Sequence, residues 1–315
     1  MSTITKAVPA AVPEEAPAKH KKPPRSARAR AERRLGWLLC APAVIVLIGV
    51  AAYPICYSVY LSLQKDNLAF PSAVKFVGLS NYGAVLSSPY WWQALKVTVI
   101  ITVLSVALEL VLGMALAELM FRTVIGRGLI RTIALIPYGI VTVAAAYGWL
   151  YAWTPNEGYL SALFGNSAPL TSTVPSLAII ILAEVWKTTP FMALLLLSGL
   201  AQVPDVLERA AKMDGATAWQ RFTRVTLPLM KPTILVALLF RGADAFRVFD
   251  NIYILTDGGN KTYSVSILGY DNLFSALNLG VGSAISVLIF LCVAIMAGVF
   301  IWGFGTKAPG ADLVR

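Results

Sequence analysis

Charge is scarce in this 315-residue chain. Asp, Glu, Lys and Arg together make up 13% of it, about half the ~25% of an ordinary soluble domain. Histidine is reduced to His20 and cysteine to Cys40, Cys56 and Cys292, with no CxxC spacing. That pattern excludes a disulfide framework and a zinc site, and thiols inside apolar runs are expected to be small buried fillers. No Gly-x-x-x-x-Gly-Lys-Ser/Thr phosphate loop occurs, so the chain is not expected to bind ATP itself. No catalytic triad or metal set is found either, and the chain is not expected to be an enzyme. The formal net charge is +10, but no basic stripe interleaves with aromatics on a polar surface. Nucleic acid is therefore not an expected partner.

What is abundant is apolar sequence, 57% of the residues, gathered into runs near the ~20 residues that cross a bilayer. Six spans are predicted: Leu35–Leu63, Trp92–Phe121, Leu129–Trp153, Val174–Leu200, Thr233–Leu255 and Val281–Phe304. The expectation is an all-α membrane protein with six transmembrane helices and membrane lipid as its solvent. Residues 1–34, rich in Ala, Pro, Lys and Arg, read as a disordered tail. The basic stretch is too long, and the following run too complete, for a secretory signal. The tail sets topology by its charge, with contact to anionic headgroups as the other reading. Nine of the 26 Lys and Arg residues precede Leu35. Arg122, Arg127 and Arg131 follow span two, and Arg209, Lys212, Arg221, Arg224 and Lys231 follow span four. Lys307 and Arg315 follow span six, whereas residues 154–173 hold no Lys or Arg. The asymmetry predicts cytosolic termini, with a C-terminal tail at 307–315, and a cytosolic 201–232 link. Tyr90, Trp91 and Trp92, and Trp149, Tyr151 and Trp153, read as an interfacial aromatic belt or as contacts to a soluble partner.

The 201–232 link carries the most specific pattern. Pro204 suits the first turn of a helix, helix formers run to Met213, Asp214-Gly215 breaks the helix, and a second helix is expected from near Ala216 to Leu227-Pro228. Ala210, Ala211 and Ala216 leave room for another backbone, and Leu207, Trp219 and Phe222 offer apolar anchors. An ordinary amphipathic cytosolic loop is the plainer alternative.

The order Ala210-Ala211, two residues, Asp214-Gly215-Ala216, then Phe222 and Leu227-Pro228 resembles the EAA motif of permeases in binding-protein-dependent ABC importers. Leu39-Cys-Ala-Pro42 with Tyr53-Pro54, Phe76-Val-Gly-Leu-Ser-Asn-Tyr82, Ile136-Pro137, Trp149 and Leu255-Thr-Asp-Gly-Gly259 are similar to the maltose-type sugar permeases of that group. The resemblance covers nearly everything after residue 34. It implies a type I ABC importer permease in a bacterial plasma (inner) membrane. It implies as partners a second permease in a heterodimer, two cytosolic ATPase subunits that bind ATP and Mg, and an extracytoplasmic sugar-binding protein. The coupling segment 204–228 would dock on the ATPase through Glu208, Arg209, Ala210, Ala211, Asp214, Gly215, Ala216 and Phe222. One departure stands out: the family's usual Glu position is occupied by Arg209, with Glu208 one place earlier, and one residue turns a side chain ~100° around a helix. The implied substrate is a sugar, with a disaccharide, trehalose above all, favoured and another sugar or glycerol phosphate as the alternative. In the family's pocket-forming spans, the matching positions are Glu184, Phe191, Arg241, Asp244, Ala245 and Val248.

The charges in those spans point the same way. Counted along a helix, Arg241 and Asp244 lie roughly 12–17 Å deep and Glu184 and Lys187 roughly 15–20 Å, near the middle of a ~30 Å core. Charge at that depth suggests function by default, and Trp186 and Phe191 offer faces for a pyranose. Each pair also has i,i+3 spacing and can neutralise itself, so structural ion pairs are the alternative. Arg247 and Asp250 share span five, and Glu109, deep in span two, is expected to pair within the bundle. The rival class is an ion-gradient-driven transporter, which would favour internal repeats; no repeat between the halves is evident. A membrane scaffold without transport is a third reading.

Overall fold

The computed structural model describes residues 27–70, 74–123 and 126–304. The expected C-terminal tail lies outside the described residues. Of the expected N-terminal tail only the part from Ala27 onward is described, and there the chain is already helical. The molecule divides into two compact units at Pro54 and Ile55.

In the first unit α1 (Ala27–Leu47) passes into a π turn at Ile48–Ala52, where Tyr53 N–H donates to the Ile48 carbonyl. The next residue is Pro54, which has no N–H to give to an ordinary helical bond. The widened turn takes up that gap, and α2 (Tyr53–Ser62) continues into the second unit. Residues 34–62 thus form one apolar helix long enough to cross a membrane.

The second unit opens with a two-stranded antiparallel hairpin, β1 (Gln64–Lys65) and β2 (Lys75–Phe76), with Gln64 opposite Phe76. After α3 (Ser80–Ser87) comes α4 (Pro89–Arg122). Pro89 sits in its first turn, where a missing N–H costs no helical bond. The third span is α5 (Arg127–Gly139) followed by α6 (Thr142–Ala152), bent by 85°. Pro137 removes one ladder donor, and Ile140 and Val141 are extended. After the short α7 (Tyr159–Leu163), α8 (Thr173–Leu200) follows as one uninterrupted helix that takes in Pro190. The 204–228 segment holds α9 (Asp205–Met213), α10 (Ala218–Arg221), a π turn at Phe222–Thr226 and α11 (Leu227–Leu229). Then follow α12 (Lys231–Ala245), α13 (Asp250–Leu255), α14 (Val265–Tyr270), a π turn at Asp271–Ser275 and α15 (Leu279–Phe304).

Four single helices and the bent α5–α6 pair account for five of the six expected spans, and the fifth falls on α12 and α13, with two corrections of shape. The third span is broken at its centre. The fifth ends as an α-helix at Ala245, leaves Phe246–Phe249 unwound, and resumes at Asp250. No Gly or Pro lies in that break. Its freed Val248 carbonyl accepts from the buried Ser264 hydroxyl at 3.3 Å, which is how irregular backbone is tolerated at membrane depth.

The core is the seam of α4 along α8, closed by α12. Between helices in lipid there is little hydrophobic drive, so close packing carries association. Gly113 shows how close: a Cβ there would lie 2.8 Å from Met192 Cγ. Of the aromatic residues at these span ends, Tyr90, Trp92 and Tyr151 are exposed, whereas Trp91 is buried in the core. Its neighbours point outward because consecutive helical residues face different sides. Trp149 and Trp153 pack at the edge of a second cluster with Ile179 and Ile252. Cys40 and Cys56 are exposed rather than buried, and Cys292 is half-buried.

Candidate functional site

Three helices meet at one guanidinium. Arg241, on α12, is fully buried. Its Nε donates to Glu109 Oε2 at 2.5 Å and its Nη2 to Glu109 Oε1 at 2.8 Å, a two-pronged bond to α4. The same Nη2 reaches Glu184 Oε1 of α8 at 3.1 Å, and Nη1 donates to Asp244 one turn on. Arg suits this site because its planar fork can serve several carboxylates at once. The Thr188 hydroxyl lies 2.7 Å from Glu109 Oε1 and 2.6 Å from the Glu184 carbonyl. Asn251 donates to Glu184 Oε2 at 2.6 Å. Every carboxylate of the cluster is therefore held, as buried charge requires.

In front of this cluster lies a cavity of about 550 Å³, walled by the bend between α5 and α6, by α8, and by the break between α12 and α13. Its lining includes Tyr138, Thr142, Glu184, Lys187, Asp244, Arg247, Phe249, Asp250 and Asn251. Both broken spans thus turn their irregular backbone to the same space. Tyr138 stacks on Phe191 at 5.2 Å, and the Lys187 ammonium sits 5.6 Å from the Tyr138 ring centre.

The sequence-derived candidates separate into two groups. Glu184, Asp244 and Val248 line the cavity. Arg241 and Ala245 are fully buried behind it, because α12 turns that face to α4 and α8. Phe191 lies behind Tyr138, and Trp186 packs edge-on against Trp149 at 6.2 Å; neither is among the lining residues. The aromatic residues among the lining are Tyr138 and Phe249. Of the two expected i,i+3 pairs, Arg241–Asp244 forms, whereas Glu184 turns from Lys187 to Arg241 and Asn251. Glu109 pairs within the bundle as expected. Asn251 and Tyr138 carried no signal in the sequence beyond sitting near the two breaks.

At the other end of α12 the 204–228 segment is built locally. Gly215 has φ +81°, the left-handed region that glycine tolerates without strain. Thr217 then caps α10 in a reciprocal box with Gln220, so the second helix begins at Ala218. It does not stop at Leu227-Pro228 but runs to Leu229, since the π turn, with Leu227 N–H on the Phe222 carbonyl, accommodates Pro228. The chain bends by 69° into α12 at Met230. On α9 Glu208 turns toward Arg221, 3.8 Å away. Arg209 points out, 75% exposed, beside an equally exposed Asp205 at 3.9 Å. Ala210, Asp214 and Gly215 are also exposed, as are Val206, Met213 and Trp219, and Ala211, Ala216 and Phe222 are half-buried. The outward face of α9 is thus basic and apolar together.

Comparison with known proteins agrees with this architecture. Residues 109–302 match the family described as binding-protein-dependent transport system inner membrane component. The chain is 62% identical over 283 residues to the trehalose transport system permease protein SugA of Mycobacterium tuberculosis, covering 90% of this chain and 92% of that one. It is 40% identical to the trehalose/maltose transport system permease protein MalF of Thermococcus litoralis, covering 83% and 90%. In fold it matches a chain of a bacterial ABC transporter that imports the acidic polysaccharide alginate, with TM-score 0.75 at 21% identity, covering 89% and 99%. The chain is therefore a membrane-embedded permease subunit of an ABC importer, not itself an enzyme, and belongs to the binding-protein-dependent transport system inner membrane components.

Proposed function

We propose that this permease moves a neutral disaccharide, trehalose in the first place, through the cavity between its two broken spans. The observation that carries the reading is the cavity itself. Its wall alternates carboxylates, cations and an amide with the rings of Tyr138 and Phe249. A sugar presents hydroxyls that both donate and accept, with apolar faces between them, and a mostly preformed pocket with a few placed polar groups suits such a ligand. The relatives named for trehalose transport support the choice of sugar. Glu184, Asp244 and Val248 are assigned to the substrate path. Arg241 and Ala245 hold the wall from behind, and Phe191 supports Tyr138.

The chain works in a heterodimer with a second permease, on two ATPase subunits that bind ATP and Mg, and takes its sugar from an extracytoplasmic binding protein. Both termini and the 204–228 coupling segment lie in the cytosol, as the Lys and Arg distribution supports. The outward Arg209, rather than Glu208, makes the charged contact with the ATPase. The deciding experiment reconstitutes the complex with its binding protein and measures ATP hydrolysis against a panel of sugars and glycerol 3-phosphate. Stimulation by trehalose above other ligands is expected; stimulation by glycerol 3-phosphate alone would overturn the assignment.

A further inference from the structure

A second cavity, of about 610 Å³, lies on the other side of the unwound Phe246–Phe249 segment, between α12, α14, the Asp271–Ser275 π turn and α15. It shares Arg247 and Phe249 with the first cavity and with no other residue of the two linings. Only those two side chains are common walls. Both lie at the end of span five remote from the coupling segment.

The walls of this second cavity are unusual for a lipid-facing surface. Phe249, Tyr270 and Phe274 form a continuous ridge, with ring centres 5.0 and 4.9 Å apart in succession. The π turn carries Phe274 at its crest, 64% exposed. The turn is anchored at its start, where the Tyr263 hydroxyl donates to the Asp271 carboxylate. The exposed Arg247 guanidinium, in the unwound part of span five, makes no ion pair or hydrogen bond among the described residues; only its backbone N–H is engaged, by the Asp244 carbonyl. A charge in a span without a protein partner is costly and points to a polar occupant. Ser266 and Ser286 add hydroxyls to the same wall.

An acyl chain or an apolar helix from another subunit would fill the apolar part but offer nothing to the Arg247 guanidinium or the Ser266 and Ser286 hydroxyls on this side. A pyranose meets both demands: its C–H faces pack on rings while its hydroxyls accept from a guanidinium. The volume falls within the ~300–1,000 Å³ of small-molecule sites. We infer that this second cavity is a separate station for the same neutral sugar, with Arg247 and Phe249 forming the partition between it and the first cavity. Those two side chains stand between the stations. Arg247 can hold a hydroxyl in either, because it borders both spaces. The inference rests on the sugar-permease reading.

The test uses the whole complex in liposomes, with its ATPase and the trehalose-loaded binding protein, and reads trehalose taken up per ATP hydrolysed. Phe274→Ala is expected to lower that ratio about tenfold, the scale of one lost ring contact. Phe274→Trp, which keeps a ring face, is expected to stay within about twofold of the parent, and Phe274→Leu to behave like Phe274→Ala. If Leu restores the ratio, the position needs only apolar bulk and the inference is overturned. It is equally overturned if Phe274→Ala leaves the ratio unchanged, or if the variant complex falls apart and Phe274→Trp with it. Absence of trehalose uptake by the parent complex would instead remove the transport reading on which it rests.

Discussion

Replacing Arg241 by alanine should cost the protein a large part of its stability. The guanidinium has zero exposure, and so does the Glu109 carboxylate that it grips through two bonds. Without it Glu109 would keep only Thr188, and Glu184 only Asn251. Breaking a buried pair from one side costs about 3–5 kcal/mol, because a charge is stranded without water or partner. At 1.4 kcal/mol per tenfold, the folded population relative to the unfolded one should fall a hundredfold or more. The test is equilibrium unfolding of the purified permease in mixed micelles, for the parent, Arg241→Ala, Glu109→Gln, and Arg241→Met combined with Glu109→Gln. The combined variant should recover much of the loss, since removing both charges of a buried pair is often close to neutral. Groups in direct contact couple by about 0.5–3 kcal/mol, and the cycle should show that coupling. If Arg241→Ala unfolds within about 1 kcal/mol of the parent, the idea of a dry, fully paired cluster is wrong.

Further outcomes can be stated for the cavity, the coupling segment and the helix seam. Asp244→Ala should reduce sugar uptake while leaving assembly with the ATPase intact, as Asp244 lines the cavity with a 66% exposed side chain; normal uptake in liposomes would count against the pocket. Arg209→Glu should weaken ATPase binding to the permease pair about tenfold in a nanodisc titration, and an unchanged affinity would move the contact elsewhere. Gly215→Pro cannot adopt the φ of +81° found there, since proline is held near −65°. That variant should release the ATPase or let it hydrolyse without transport, and coupled uptake with intact co-purification would sink the expectation. Gly113→Val places carbon where Met192 Cγ lies 2.8 Å away, so it should destabilise the α4–α8 seam by about 1–3 kcal/mol, detectable in the same unfolding assay.

Much of this molecule is readable from local chemistry. Apolar runs locate the spans, and Pro204, Gly215 and the Thr217–Gln220 box are features whose effect is confined to a few residues. What the chain hides is nonlocal. Glu109 and Arg241 stand 132 positions apart, and each alone announces only that it needs a partner. The break at Phe246–Phe249 has no helix-breaking residue. It is stabilised by Ser264, sixteen positions later, which no period in the sequence reveals. That break is also why the pocket differs from the one expected. A continuous fifth span would leave Asn251 and Phe249 off the cavity, while the broken one brings both to it. Trp186 and Phe191 look equally available as rings in a linear reading, but their neighbours Trp149 and Tyr138 come from the bent third span.

The Arg241 cluster also has a mechanical meaning. One guanidinium joins α4, α8 and its own α12 by bonds of about 3 Å, which ties these three helices at one level. They would tend to move as a block with the cavity on its flank. The chain's compliance must then lie at the margins of that block: the 69° elbow at Met230, just beyond the coupling segment, and the 85° elbow at Ile140–Val141. A push on α9 and α10 would enter at the first elbow and turn the block as a lever. The second elbow, which forms part of the cavity wall, is where that turning would be felt by the bound molecule.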